Sequence, residues 1–336
     1  MKTETLQKTR ILSTGIHLPK NIVTNKDLEG EIDTSHEWIV ERTGIHQRHV
    51  SNPEGGEWPT DMACEAAKKA IEESGLKLNE IDMIIFATST PDVRLPNCSS
   101  ILQTKLGMSN ECGCFDLYAA CTGFVYAFNV ADAMIKAGTC KNILVVGAET
   151  MSREIDMKDR SICILFGDGA GVAVLSASQG EQSSEVLATH LAADGKGREY
   201  FDQPIGGVET PITAEHIGER KQYMQMRGRE MFKIATRSLA ENARIVCRKA
   251  GIELDDIDWV VPHQANVRII ETTGKLLNLD PKKVIVNIEK YGNTSAATVP
   301  LAFHEAVQEG KIKRGDIVLL DAFGAGVTSG ATLLRY

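Results

Sequence analysis

GLKLNEIDMII (75–85) and GIELDDIDWVV (251–261) are two versions of one phrase, 176 residues apart. Of the eleven aligned positions four are identical, five are conservative and one is apolar in both; only Lys77 against Glu253 reverses charge. A helical apolar pattern precedes each copy. Ala63, Ala66, Ala67, Ala70 and Ile71 recur at i, i+3, i+4, i+7 and i+8, and Leu239, Ala243, Val246, Cys247 and Ala250 do much the same. Each copy is followed by a second helical stretch, a glycine and an apolar strand: AGTCKNILVVGAE (137–149) in one case, EGKIKRGDIVLLDAF (309–323) in the other. Strands apolar throughout, alternating with helices, predict a mostly parallel sheet covered on both faces. The repeat thus predicts an α/β molecule of two duplicated halves, 1–178 and 179–336, with functional residues where equivalent strand ends meet. The stretch 176–228, rich in Gly, Gln, Glu and Thr, reads as a connector with surface excursions, and 24–60 as an insertion in the first half.

Composition narrows the function classes. With 43% hydrophobic and 24% charged residues among 336, the chain is neither disordered nor fibrous. The 45 acidic against 37 basic residues leave a net charge of −8, which disfavours nucleic acid or an anionic membrane as a general partner. Apolar runs such as Ile84–Ala87, Ile143–Val146 and Ile317–Leu320 fall far short of the ~20 residues of a membrane span. The polar start, MKTETLQKTR, has no signal-peptide core, so a cytoplasmic location and free thiols at all eight cysteines are expected.

One cysteine stands apart. In CGCFDLYAACTGFVYAFNVADAMIKAG (112–138) a short strand and a run of small residues lead into an apolar helix ending near Gly138. Cys121 falls at its N-terminus, where unpaired N–H groups and the helix dipole favour a thiolate and can bring a cysteine pKa from ~8.5 down to ~3.5–7.5. The competing reading is an inert buried thiol. His263, in VPHQAN, follows the second copy of the phrase, and Asn293, in YGNTSAATVP, stands just before a helix; a shift of 172–174 carries Cys121 onto Asn293 to Ser295. Singly these read as a structural histidine and a helix cap. Together the three occupy strand-to-helix junctions, where open α/β sheets place ligands. FGDGAGVAV (166–174) and FGAGVTSGA (323–331) lack the Lys and Ser/Thr of a phosphate loop and fit a dinucleotide fingerprint poorly. They read as tight turns near the active centre, with an N–H from 324–326 available to an oxyanion. Cys112 and Cys114 have no second pair or suitably spaced histidine, so no metal is expected.

DTSHEWIVERTGI (33–45), DLYAACTGFVYA (116–127), FGDGAGVAVL (166–175), VPHQAN (261–266) and YGNTSAATVP (291–300) resemble, in order and spacing, the β-ketoacyl-acyl carrier protein synthase III family of the thiolase superfamily. The resemblance spans nearly the whole chain and implies a five-layered αβαβα fold of duplicated halves, a homodimer and a Cys-His-Asn site. It implies that Cys121 takes an acyl group from an acyl-CoA, and that His263 and Asn293 hold the thioester oxygen of malonyl-acyl carrier protein as it decarboxylates. The resulting enolate attacks acyl-Cys121 to give a 3-oxoacyl thioester. Backbone N–H groups of Cys121 and Ala325 are the implied oxyanion donors. No metal or redox cofactor is implied, acyl-CoA being a substrate. Trp38, Arg42, Arg160 and Asn266 match the family's coenzyme A site, Leu95, Phe323 and Val327 its acyl pocket, and Arg268 and Lys275 the rim that receives the carrier protein.

Three departures from the family pattern point to a reshaped pocket. Leu95 precedes Pro96 where an aromatic is common, in the loop that reaches the partner's acyl pocket. GAGVTSG (324–330) stands where GGGFTWG is common, and the connector around 195–225 is longer than usual. A longer, branched or specialised starter follows as the expectation. Two other readings remain: a specialised acyl-CoA acyltransferase or condensing enzyme of secondary metabolism on the same scaffold, and a silent acyl-CoA-binding scaffold. A thiolase is disfavoured because FGAGVTSG lacks a second cysteine, and hydroxymethylglutaryl-CoA synthase because no match to its catalytic glutamate motif is visible.

Overall fold

The computed structural model of the chain describes residues 7–109, 111–178, 184–216 and 218–336. Both copies of the repeated phrase do the same local work. Gly75 (φ 73°) and Gly251 (φ 69°) stop the preceding helices in the left-handed conformation that glycine adopts without strain. A short 3₁₀ turn follows, Leu78–Glu80 in one copy and Leu254–Asp256 in the other. The carboxylates of Glu80 and Asp256 accept the backbone N–H of Lys77 (2.8 Å) and Glu253 (2.9 Å). These bonds use only the main chain of residues 77 and 253, so reversing the charge there leaves the turn intact. Asp82 then accepts the N–H groups of Lys141 (2.7 Å) and Asn142 (2.8 Å), and Asp258 that of Ile317 (2.8 Å), so each aspartate pins the start of the next strand.

Those strands build two sheets. The first comprises β1 (Lys8–His17), β2 (Met83–Ala87), β3 (Gly113–Leu117), β4 (Asn142–Thr150) and β5 (Asp168–Ser178), in spatial order β1-β5-β4-β2-β3. The second comprises β6 (Glu185–Ala193), β7 (Trp259–Pro262), β8 (Ile317–Gly324) and β9 (Thr328–Arg335), in order β7-β8-β9-β6. Their registers match: Met83 lies opposite Ile143 and Trp259 opposite Val318, both pairings parallel. The counterpart of β3 has shrunk to one parallel bridge between Val260 and Val284.

The sheets are mixed, correcting the expectation of a mostly parallel arrangement, because β4-β5-β1 and β8-β9-β6 pair antiparallel. The uniform apolarity of the strands reflects burial on both faces. Ile85, Ala87, Ile143 and Val145 point inward while Ile84, Phe86, Leu144 and Val146 pack outward, and Val318 and Leu320 alternate with Leu319 in the same way. Burying each such side chain is worth about 1.5–3 kcal/mol whichever way the neighbouring strand runs, so apolarity does not report strand direction. The connector also holds a regular element that its composition hid, since β6 is an edge strand of the second sheet. Beyond β6, Arg220 pairs with Asp156, and Gln203 Nε2 donates to Glu154 (2.8 Å).

Five layers result. α2 (Pro59–Ser74) covers the outer face of the first sheet and α4 (Gly228–Ala250) that of the second. Between the sheets lie α3 (Gly123–Lys136) and α6 (Thr298–Gln308), whose Phe124, Phe128, Val299 and Phe303 join one core with both inner faces. Gly169 and Gly171, read above as turn residues, are residues of β5 that lie against α6: a Cβ on Gly171 would lie 2.7 Å from Pro300 Cβ. Gly147 on β4 meets the backbone of the turn before α6, since its added Cβ would stand 2.5 Å from the carbonyl oxygen of Ala296. Gly147→Ala is expected to lower stability in urea by about 1–3 kcal/mol, the usual cost of overpacking. Gly195→Ala, where the methyl meets nothing within 4 Å, should stay within about 0.5 kcal/mol; equal effects would show that the centre can yield.

Candidate active site

Each central helix is entered through a tight turn, Ala120–Thr122 before α3 and Ser295–Ala297 before α6. The residue opening each turn is left-handed although not glycine: Ala120 has φ 46° and Ser295 φ 51°. Such backbone costs on the order of 1–3 kcal/mol and persists only when its surroundings impose it. The matched turns give the true offset of the halves here, 175, placing Cys121 opposite Ala296 and correcting the shift of 172–174 inferred from sequence.

Strand ends of each half close over the turn of the other. Gly147 packs on Ala296, and a Cβ on Gly324, at the end of β8, would lie 2.9 Å from Cys121 N and 3.1 Å from Thr122 N. The Gly324–Thr328 hairpin is tied to the cysteine turn by Thr122 Oγ1 and Thr328 Oγ1, 2.6 Å apart. Cys121 is 5% exposed. Burial pushes its thiol up to about 12, reinforced by the nearby Glu149 carboxylate and only partly opposed by the Ser295 hydroxyl and its own backbone N–H. The dipole argument from sequence therefore loses to desolvation: the resting side chain is a neutral thiol.

His263 leaves β7 with its N–H donated to Asp321 O (2.7 Å), and burial depresses its pKa to about 3. Its Nδ1 lies 2.6 Å from Thr298 Oγ1, which leaves Nε2 for the cavity. Asn293 is fixed by main-chain bonds to Leu165 O (2.8 Å) and from Gly167 N (3.1 Å). Its Oδ1 accepts Ser295 N at 2.8 Å, which leaves Nδ2 as the free donor. Cys121, His263 and Asn293 line one cavity of about 270 Å³, walled by Phe166, Phe201, Met231 and Phe323.

The mouth of this cavity carries Trp38 and Arg42 from α1 (His36–Thr43) and Asn266 at the start of α5 (Val267–Leu276). The guanidinium carbons of Arg42 and Arg160 each stand 4.6 Å from the Trp38 ring centre, so an adenine stacking there must share the indole with them. Asn266 caps α5 through Arg268 N (2.8 Å) and donates to Arg42 O (3.0 Å), joining the two mouth elements. Behind them Arg48, fully buried, donates to Val23 O, Asn25 Oδ1 and Ile164 O.

Other expected residues lie elsewhere. Val327 does not line the cavity; it is buried against Gly197 and exchanges backbone bonds with Asp194. Leu95 projects away, 87% exposed, and Ala325 sits half-buried at the hairpin tip next to Gly324, which does line the cavity. Arg268, on the exposed side of α5, is bonded to Glu41 O (3.1 Å), and Lys275 is exposed near the end of the same helix. Among the described residues no cluster of three or more His, Cys, Asp or Glu could hold a metal ion. Sequence reasoning missed Ser295, Thr298 and the fully buried Glu149, which ends the apolar strand ILVVGAE and accepts bonds from Thr88, Ser89, Thr90 and Ser295. An acid closing a doubly buried strand was the available signal.

A duplicated five-layer core that converges a cysteine, a histidine and an asparagine from its two halves defines the condensing-enzyme class of the thiolase superfamily. Residues 115–195 match the family model for 3-oxoacyl-[acyl-carrier-protein] synthase III, and residues 247–336 match the model for its C-terminal part. The β-ketoacyl-[acyl-carrier-protein] synthase III of Aquifex aeolicus (strain VF5) is 48% identical over 328 residues, covering 98% of this chain and 99% of that protein. Its namesake from Thiobacillus denitrificans is 47% identical over 330 residues, covering 97% and 99%. The crystal structure of the Aquifex aeolicus 3-oxoacyl-[acyl-carrier-protein] synthase III superposes with a TM-score of 0.90, at 47% identity, over 98% of this chain and all of that one. The chain belongs to the β-ketoacyl-[acyl-carrier-protein] synthase III family and is a condensing acyltransferase of thiolase fold.

Burial makes a sharp statement about charge. With its pKa near 3 in the fold and about 6.5 when unfolded, His263 contributes stability that is present above pH 6.5 and lost as pH falls toward 3. In the folded protein, ¹⁵N NMR should find its imidazole neutral at pH 5, with Nδ1 engaged; a titration midpoint near 6.5 would show that water reaches it freely.

Proposed function

We propose that the protein condenses an acyl-CoA starter with malonyl-acyl carrier protein to give 3-oxoacyl-acyl carrier protein, coenzyme A and carbon dioxide, initiating fatty acid synthesis. The observation that carries this reading is the convergence of Cys121, His263 and Asn293 on one buried cavity with Trp38 and Arg42 at its mouth. The Cys121 sulfur attacks the thioester carbonyl, and coenzyme A leaves as its thiol. One thioester replaces another, so little bond energy changes and the work lies in positioning and in stabilising the oxyanion. Backbone N–H groups at Cys121 and in the 324–326 loop are the donors for that oxyanion.

Malonyl-acyl carrier protein then enters along the same cavity. As its carboxylate departs as carbon dioxide, the electron pair becomes an enolate whose oxygen needs donors. Asn293 offers Nδ2 because its Oδ1 is held by Ser295. His263 offers Nε2–H when the Thr298 hydroxyl donates to Nδ1. In a dry cavity each such donor is worth far more than in water, commonly 10²–10³ in rate. A neutral imidazole suits this role, for it donates without offering the reactive enolate carbon an acidic proton. The enolate carbon attacks acyl-Cys121, the tetrahedral oxyanion collapses, and the sulfur leaves. None of these steps calls for a metal or redox cofactor.

For the carrier protein, basic residues ring the mouth. Arg229, Lys233 and Arg237 are exposed at four-residue spacing on the first turns of α4, and Arg268 and Lys275 add to the patch from α5. On a chain of net charge −8 such a local field can steer an acidic partner. A homodimer is supported by β3, an edge strand of half-buried residues flanked by Tyr118, 75% exposed, and by exposed Leu95 and Val93. Leu95 of one copy would then help shape the acyl pocket of the other. Among the described residues no helix is long and apolar enough to cross a membrane.

Incubation with a panel of acyl-CoAs should leave an acyl adduct on Cys121 visible by mass spectrometry, with the preferred chain length set by the Leu95 loop. Adding malonyl-acyl carrier protein should then release carbon dioxide; acyl transfer without it would sink the condensation. His263→Ala should keep adduct formation while losing about 10²-fold or more of decarboxylation, and equal loss of both half-reactions would contradict the assigned roles. Thr298→Val should share the defect of His263→Ala more mildly, because it frees Nδ1 and with it the tautomer.

A further inference from the structure

Two donors carried by different segments must meet at one enolate oxygen. His263 follows β7, and Asn293 follows the short helix Ile288–Tyr291. Both segments are fastened to α6. Near its start, Thr298 Oγ1 stands 2.6 Å from His263 Nδ1. Further along the same helix the Glu305 carboxylate accepts three donors: Oε2 takes Asn287 Nδ2 (2.9 Å), and Oε1 takes Tyr291 OH (3.0 Å) and Lys290 Nζ (2.7 Å). Asn287 also reaches the histidine from its other side, since its main-chain N–H donates to Gln264 Oε1 (3.1 Å). Gln264, next to His263 in the chain, donates Nε2 to Pro262 O (2.7 Å) and Ile285 O (3.1 Å). A closed ring of bonds therefore runs from His263 through Gln264, Asn287, Glu305 and α6 to Thr298 and back. Tyr291 branches from this ring toward Asn293.

The segment that needs this support has little of its own. A helix of four residues gains almost nothing from cooperativity, so its position is decided by what anchors it. Two kinds of anchor are present. The main chain of Asn293 is bonded to Leu165 O and from Gly167 N, which refers it to the first half and hence to Cys121. The Glu305 bonds refer it instead to the helix that holds His263. As an ion pair alone, Glu305 with the partly exposed Lys290 would be worth about 1 kcal/mol or less. That reading leaves unexplained why the same carboxylate also gathers Tyr291 and the buried Asn287.

We propose that Glu305 is a positioning residue for decarboxylation, setting the separation of His263 Nε2 and Asn293 Nδ2 through its bonds to Asn287 and Tyr291. It touches neither substrate nor reacting atoms and acts only through the two donors. Cys121, on the turn before α3, lies outside the ring. Acyl transfer from coenzyme A is therefore independent of Glu305, while the enolate-forming step depends on it. The inference rests on the decarboxylating roles given above to His263 and Asn293.

The test measures the two half-reactions separately in the full-length protein: acyl-Cys121 formation from acyl-CoA by mass spectrometry, and carbon dioxide release from malonyl-acyl carrier protein by the acylated protein. Glu305→Gln turns an amide NH₂ toward donors that need an acceptor. It should slow carbon dioxide release by about tenfold or more, because a small misplacement of positioned groups is costly. Acylation and the KM for malonyl-acyl carrier protein should stay as in the parent, the pattern of an interaction made only in the transition state. Tyr291→Phe removes one of the three bonds and keeps the ring; it should show the same split at smaller size, and serves if Glu305→Gln does not fold. Since Glu305 acts through the donors, Glu305→Gln should cost clearly less in an Asn293→Ala background than in the parent, whereas a merely structural role predicts equal costs. Full additivity, a parallel fall in both half-reactions, or unchanged carbon dioxide release would overturn the inference. A parent protein that forms the acyl adduct but releases no carbon dioxide would overturn the condensation reading itself.

Discussion

Backbone against backbone at the centre of the molecule is the constraint on which the rest depends. The turn before α3 and the turn before α6 meet the strand ends with at most a methyl between them: Gly147 stands against the Ala296 carbonyl and Gly324 against the Cys121 amide, while Gly123 faces the methyls of Ala87 and Ala296. Spacing this small fixes the separation of the two sheets. It also imposes the left-handed residues Ala120 and Ser295, because a turn pressed from both sides has no room to relax. Cys121 belongs to one half and His263 and Asn293 to the other, so their alignment is inherited from core packing and needs no mobile loop to assemble it.

The same closeness sets the electrostatics. Water is excluded from the cysteine, the histidine and the glutamate alike, and each is driven toward its neutral form. A site at rest without ion pairs has little reorganisation to undergo when charge develops on a substrate oxygen. Its donors are already held: Asn293 by Ser295, His263 by Thr298. The two tethers come from the turn that opens α6 and from the first residue of the helix itself, so the second half contributes one rigid unit.

Much of this was legible in the chain. The repeated phrase located both halves because its glycine, isoleucine and aspartate each perform a local task, ending a helix, filling a core position and pinning a strand. Cys121, His263 and Asn293 stood out by position. Strand direction did not, since doubly covered strands are apolar whichever way their neighbours run. β6 escaped because it lies in a stretch whose composition resembles a loop, while its partner β9 supplies the ladder. The thiolate expected at a helix start gave way to desolvation, a property of the surrounding fold that no local sequence encodes. Ser295, Thr298 and Glu149 carry ordinary polar side chains, and only the folded distances reveal what they hold.

Arg48 gives the molecule an unusual division of labour between its two attachments. It latches the segment bearing Trp38 and Arg42 to the core by bonds to three neutral oxygens. The excursion beyond β6 is instead moored through the partly exposed ion pair of Arg220 with Asp156. Salt screens the second kind of fastening and hardly touches the first. Rising ionic strength therefore weakens the second kind of fastening and leaves the first nearly unchanged.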